Sequence, residues 1–240
     1  MSWHMGRLAA FDVETTGTDP ESDRIVAAAI SLVGAELPGE HHAWLVDPGI
    51  EIPAGAAAVH GITTERARAE GRDPGEAVEE ITSLLAEQVL GGVPVVAFNA
   101  RFDLTILDRE AGRHGVASLL DRVGGPQGML VVDPFVLDRQ FDRFRKGKRT
   151  LQAVCRHYRV PFDEAHVANA DAIAAARVAY RLGVVVPELR ELDLRDLYGK
   201  QISWAAKQAA LLEEYFRGQG RNEQVEGAWP IVPVGAVSVA

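Results

Sequence analysis

The sequence predicts an α/β domain built on a mixed sheet, with helices appended toward the C-terminal end. Three observations predict it. Three apolar runs near the start of the chain are joined by short turns, as in an antiparallel meander. A later strand–helix–strand order requires a parallel crossover, right-handed by strong precedent. An alanine-rich helical stretch, residues 169–182, carries Ala172, Ala174, Ala175, Ala176 and Ala179, so it can lie close against a sheet.

Taken in order, residues 7–13 form the first strand, 24–33 the second and 41–46 the third, closed by Asp47-Pro48-Gly49. A Gly/Ala/Pro-rich loop, 48–58, leads to HGIT at 60–63. Pro74 opens a helix whose Val78, Ile81, Leu84, Leu85 and Val89 recur at helical spacing up to Gly91-Gly92. Residues 93–98 make a fourth strand, followed at once by a helix burying Phe102, Ile106, Leu107 and Ala111. Residues 129–132 make a fifth, ending at Asp133-Pro134. Residues 151–158 read as a helix, and the alanine-rich helix starts with Asn169 as its N-cap. Beyond Gly183 the character changes. The division expected is a domain at 1–183, a helical extension at 184–217 packed on or beside it, and a tail at 218–240, either a strap or loose.

Composition narrows the function. A hydrophobic content of 47% and a charged content of 25% suit a sizeable core. No apolar run approaches bilayer length, and MSWHMGR is too short and polar for a signal peptide, so a cytoplasmic protein is the default. One cysteine, Cys155, excludes a disulfide framework and a cysteine-rich zinc site. The net charge of −9 argues against coating nucleic acid through a general positive field, though not against gripping a few nucleotides locally.

The chemistry centres on FDVETTG, residues 11–17. Asp12 and Glu14 are two residues apart, which on a strand puts both carboxylates on one face. Such a pair repels and is expensive to desolvate unless a cation joins it, and oxygen donors suit Mg2+ or Mn2+. Alone, D-x-E fits a solvated strand edge with a hydroxyl-rich turn better than it fits a metal site. FNARFD, 98–103, places Asp103 in the first turn of a helix after a strand, where open α/β sheets put ligands; helix-dipole complementation is the plain alternative. HVANAD, 166–171, places Asp171 in the first turn of the alanine-rich helix and His166 in the loop before it. A histidine so placed can take a proton from water. The joint occurrence of the four carboxylates, in this order, points to a metal site.

FDVETTG, FNARFD and HVANAD resemble the three motifs of the DEDDh 3′→5′ exonuclease family, and HGIT is similar to a segment of its proofreading members. The resemblance spans about residues 7–182, with Phe98 standing where many relatives have histidine and Pro134 where a longer helix is often seen. It implies a ribonuclease-H-like sheet of five strands, three antiparallel and two parallel. It also implies two divalent cations, Mg2+ or Mn2+, held by Asp12, Glu14, Asp103 and Asp171, with His166 as general base. The activity implied is hydrolysis from a nucleic-acid 3′ end, releasing nucleoside 5′-monophosphates. Single-stranded DNA is the first substrate expected and oligoribonucleotide the second.

For holding the strand, the turn Thr15-Thr16-Gly17 offers backbone N–H groups, and Phe102 or His60 offers a stacking face. The basic run RQFDRFRKGKR, 139–149, offers a phosphate clamp through Lys146, Lys148 and Arg149, or a solvated loop. The C-terminal helices, with Trp204 and Tyr215-Phe216, either cover the sheet or dock a polymerase, a helicase or a second copy. Two other functions fit the same pattern: a catalytically silent nucleic-acid-binding module, and a phosphoesterase for small molecules.

Overall fold

In the computed structural model, which describes residues 2–162 and 168–235, the first apolar run becomes β1 (Arg7–Thr15), the middle strand of a five-stranded sheet. On one side β1 pairs antiparallel with β2 (Ile25–Gly34), and β2 with β3 (Glu40–Leu45). On the other side β1 pairs in parallel with β4 (Val95–Val96), and β4 with β5 (Val131–Val132), giving the order β3-β2-β1-β4-β5. The expected mixed sheet is therefore present. β1 runs two residues past its expected end at Val13, so Glu14 and Thr15 belong to the strand. β4 and β5 are shorter than expected; past them Asn99 takes a left-handed φ of 66° and Asp133 caps a helix, each turning the chain out of the sheet.

The stretch expected as a loop at 48–58 contains α1 (Ala54–His60), which buries none of its residues and so has no apolar stripe. Gly61, at φ 75°, ends it, and α2 (Thr64–Glu70) follows with Thr63 accepting the Arg66 N–H. The remaining helices are α3 (Pro74–Leu90), α4 (Ala100–His114), α5 (Leu119–Arg122), α6 (Pro134–Phe141), α7 (Leu151–Tyr158), α8 (Ala168–Val185), α9 (Pro187–Glu191) and α10 (Leu194–Gly218). Pro134 sits at the first turn of α6, where a missing N–H is harmless.

The two-residue period of β1 divides the core. Ala9, Phe11 and Val13 face the layer made by α3 and α4, while Leu8 and Ala10 face α8. The small side chains of α8 let it press on β1 and β2, burying Ala172, Ala175, Ala176 and Ala179. α10 covers the free edge of β5. The buried Gln201 accepts the Asp133 N–H at 2.8 Å and donates to the Val131 carbonyl at 2.9 Å, satisfying an edge that would otherwise template pairing. Trp204 packs edge-on to Phe141 at 5.4 Å between ring centroids, so it belongs to this internal contact. Residues 219–235 cross α4: the Val232 N–H donates to Thr105 Oγ1 at 3.0 Å, and Arg109 donates to the Val232 carbonyl at 2.9 Å. Of the strap and the loose tail, these residues take the strap form. No helix among the described residues is long and apolar enough to cross a membrane.

Candidate active site

The alternation that gives Leu8 and Ala10 to α8 continues through Asp12 and Glu14. The burial pattern of β1 therefore breaks at its C-terminal end, where two carboxylates replace apolar side chains opposite the first turn of α8. Asp171 stands in that turn. One carboxylate oxygen from each of Asp12, Glu14 and Asp171 lies within 4.8 Å of the others. Asp103 comes from the opposite layer. It is 5% exposed, and its Oδ1 accepts the Val13 N–H at 3.2 Å, which pins the start of α4 to the end of β1. The β1–β2 register shifts between Glu14 and Thr15, a bulge directly beside the carboxylates.

The electrostatics are those of crowded like charges. Asp12 is pushed well above the usual carboxylate range, first by burial and then by Asp103, Asp171 and Glu14. Glu14 is pushed up to about 7 by burial and by Asp171. Asp103 is also raised, chiefly by burial, against the pull of the Val13 amide. Among the described residues, no Lys or Arg forms an ion pair with Asp12, Glu14 or Asp103. An all-oxygen set that crowds carboxylates from β1, α4 and α8 fits a hard divalent cation.

The surrounding residues divide into available and engaged groups. The Thr16 N–H donates to the Arg24 carbonyl and its hydroxyl to Asp23 at 2.8 Å, so the expected backbone contact to a strand end is closed at this position. Thr15 Oγ1 donates to the Gly17 carbonyl at 2.6 Å. A Cβ on Gly17 would lie 2.5 Å from the Asp23 carboxylate, which would have to shift away from the Thr16 hydroxyl it accepts from. His60 ends α1 beside Thr15; its Nδ1 accepts the Ile62 N–H at 3.1 Å, and burial holds its pKa below the ordinary value. Phe102 is half-buried against the larger core. His166 lies outside the described residues. Asn169, expected as an N-cap, is inside the first turn of α8, where its Oδ1 accepts the Ser31 hydroxyl at 2.5 Å; Ser31 in turn meets His41 Nδ1 at 3.0 Å. In the basic run, Arg149 and Arg145 both bind the buried Asp138, at 2.5 and 2.7 Å, so Arg149 is a structural cation, while Lys146 and Lys148 are exposed.

Asp133 is the residue that sequence reasoning missed. Its carboxylate accepts the N–H groups of Asn99, Ala100 and Phe135 at 2.9–3.0 Å and Trp229 Nε1–H at 3.2 Å. It thus ties the ends of β4 and β5, the start of α4 and the C-terminal strap into one corner. Burial still pushes it up to about 6. The sequence signal was an Asp-Pro pair ending a strand, the signature of a cap followed by a first-turn proline.

With this geometry established, known proteins supply context. The family model described as "Exonuclease" matches residues 9–179. A DNA polymerase III subunit epsilon-like protein of Rhodobacter capsulatus is 31% identical over 212 residues, covering 86% of this chain and 27% of the relative. A PolC-type DNA polymerase III of Lacticaseibacillus paracasei is 28% identical, covering 72% of this chain and 11% of the relative. DNA polymerase III subunit epsilon of Rickettsia prowazekii is 29% identical, covering 72% of each chain. The chain thus spans about a tenth to a quarter of the length of the first two. Among solved structures, Escherichia coli exonuclease I in complex with a dA16 oligonucleotide shares the fold at a TM-score of 0.65 and 20% identity, covering 86% of this chain and 45% of that one.

Proposed function

The chain belongs to the exonuclease family, and from that premise together with the carboxylate cluster we propose that it is a metal-dependent 3′→5′ exonuclease acting on single-stranded DNA. The observation that carries the reading is the approach of Asp12, Glu14 and Asp171 within 4.8 Å, on two elements remote in sequence. Asp12, Glu14 and Asp171, with Asp103 from α4, are the residues that would hold Mg2+ or Mn2+. A divalent cation bound there supplies charge neutralisation at the scissile phosphate and acidifies a water.

The chain's own groups do the rest. His166, five residues before Asp171, takes the proton of the attacking water on a ring nitrogen. The turn 15–17 stands at the exit of β1, where Gly17 presents backbone to the terminal nucleotide and His60 flanks Thr15. The products of this chemistry are nucleoside 5′-monophosphates. The names of the relatives support DNA as the first substrate and a DNA polymerase as the partner. Co-elution with a polymerase catalytic subunit tests the second point.

The first is tested with 5′-labelled single-stranded DNA, duplex DNA and RNA in Mn2+. The expected result is a ladder shortening from the 3′ end, fastest on single-stranded DNA. It should be abolished in Asp12→Asn and slowed about 10²-fold or more in His166→Ala. Cleavage of a circular single strand, or release of the 5′ label as the first product, would contradict it.

A further inference from the structure

The 139–149 segment and α10 enclose a groove of about 1420 Å³. Six cations line it, Arg139, Arg143, Arg145, Lys146, Arg149 and Lys207, and no carboxylate does, in a chain whose net charge is −9. Arg145 and Arg149 share the buried Asp138, and Arg145 also pairs with Asp142. Among the described residues no carboxylate is within ion-pair distance of the other four. Two aromatic faces stand open at the same place. Phe144 is 88% exposed, with the Arg143 guanidinium 5.5 Å from its ring centroid, and Tyr215 on α10 is 61% exposed.

The groove borders a smaller cavity on the side of the sheet where β1 ends with Asp12 and Glu14. Arg139 and Gln208 line both the groove and a smaller cavity walled by Asn99 and Asp133, at the C-terminal ends of β4 and β5. Between the two runs a row of contacts: Phe98 meets Phe135 at 5.6 Å, and Arg139 lies 5.4 Å over the Phe135 ring. Burial and the neighbouring charges of Arg149 and Arg101 hold Arg139 below its ordinary pKa, as expected where cations crowd without an anion.

We propose that this groove binds the 5′-ward part of the single strand whose 3′ end enters the carboxylate site, phosphates on Arg139, Arg143, Lys146 and Lys207 and bases on Phe144 and Tyr215. The inference rests on the exonuclease reading and adds to it the path of the substrate and the use of α10. Alternating cations and open aromatic faces match alternating phosphates and bases; an acidic peptide would use the cations and leave the rings exposed to water. Residues just past β4, α6 with the segment after it, and α10 build the path, so the groove depends on the helical extension.

The test uses the full chain and two variants: Arg143→Glu/Lys146→Glu/Lys207→Glu, and Phe144→Ala, whose ring is too exposed to support the fold. Hydrolysis of a dinucleotide and of dT20 is compared in Mn2+, and dT20 binding is followed by anisotropy in EDTA at 50–200 mM NaCl. The triple variant should lose at least 10-fold in kcat/KM on dT20 and keep the dinucleotide rate. Its log–log salt slope should fall by about 2, from about 0.7 per phosphate contact. Phe144→Ala should weaken dT20 binding about 3- to 10-fold. Equal losses on both substrates, unchanged dT20 binding, or competition by polyglutamate as strong as by dT20 would overturn the proposal. Wild-type protein that hydrolyses neither substrate would instead refute the exonuclease reading, while anisotropy in EDTA still reports on the groove.

Discussion

Replacing Glu14 by Gln should make the metal-free protein more stable at pH 8. The carboxyl of Glu14 titrates at about 7 in the folded chain, against 4.5 for an unperturbed glutamate. A raised folded-state pKa means stability that is fully present below pH 4.5 and is lost as pH rises through 7. Full transfer of the titration between these values amounts to about 3 kcal/mol. The side chain is only partly buried, so solvent screening reduces this to about 1–2 kcal/mol. For a chain of this length that is a gain of about 2–8 °C in Tm for Glu14→Gln. The assay is thermal unfolding by circular dichroism in EDTA at pH 8 and pH 5, then in excess Mn2+. The variant should lead at pH 8 and lose most of that lead at pH 5. In Mn2+ the order should reverse, because wild-type protein gains about 2.7 kcal/mol at metal concentrations 100-fold above Kd and the variant has one ligand fewer. A variant less stable than wild type in EDTA at pH 8 would refute the burial and like-charge crowding of Glu14 on which the metal site is argued.

Other substitutions probe the supports of the site. Asp133→Asn keeps the shape but loses charge and acceptor capacity toward four donors, and should cost about 3 kcal/mol by chemical denaturation. Gln201→Leu strands the Asp133 N–H and the Val131 carbonyl at the edge of β5, and should cost about 2 kcal/mol. Ser31→Ala removes the tether to Asn169 at the start of α8; about 1 kcal/mol should be lost in denaturation, and single-turnover rates on single-stranded DNA should drop several-fold. Gly17→Ala forces a Cβ against Asp23 and should raise KM for single-stranded DNA, measured by steady-state kinetics, more than it lowers Tm.

Much of this arrangement is legible in the chain because it follows from local periods. Asp12 and Glu14 fall on one face because strands alternate, Asp103 falls in a first turn because the β4-to-α4 junction is short, and Asp171 falls in the first turn of a helix that its alanine run announces. What escaped reading depends on distant partners or on missing patterns. Asp133 looks like an ordinary cap; its fourfold hydrogen bonding needs Asn99, Ala100 and a tryptophan 96 residues later. The cations of 139–149 are equivalent as letters, and only the burial of Asp138 separates Arg145 and Arg149 from Arg139, Arg143 and Lys146. α1 buries nothing, so no periodicity announced it. The strap is held by backbone groups and by Arg101, Arg109 and Thr105 on α4, contacts that scattered valines do not advertise.

Calorimetric titration of Mn2+ at pH 7, in two buffers of different ionisation enthalpy, shows whether the acidic groups of β1, α4 and α8 together hold a divalent cation. Binding should be saturable, with proton release from the raised carboxyls of Asp12 and Glu14, and both signals should be lost in Asp12→Asn and Asp171→Asn. Binding that is absent in the wild type, or unchanged in those variants, would contradict such a site.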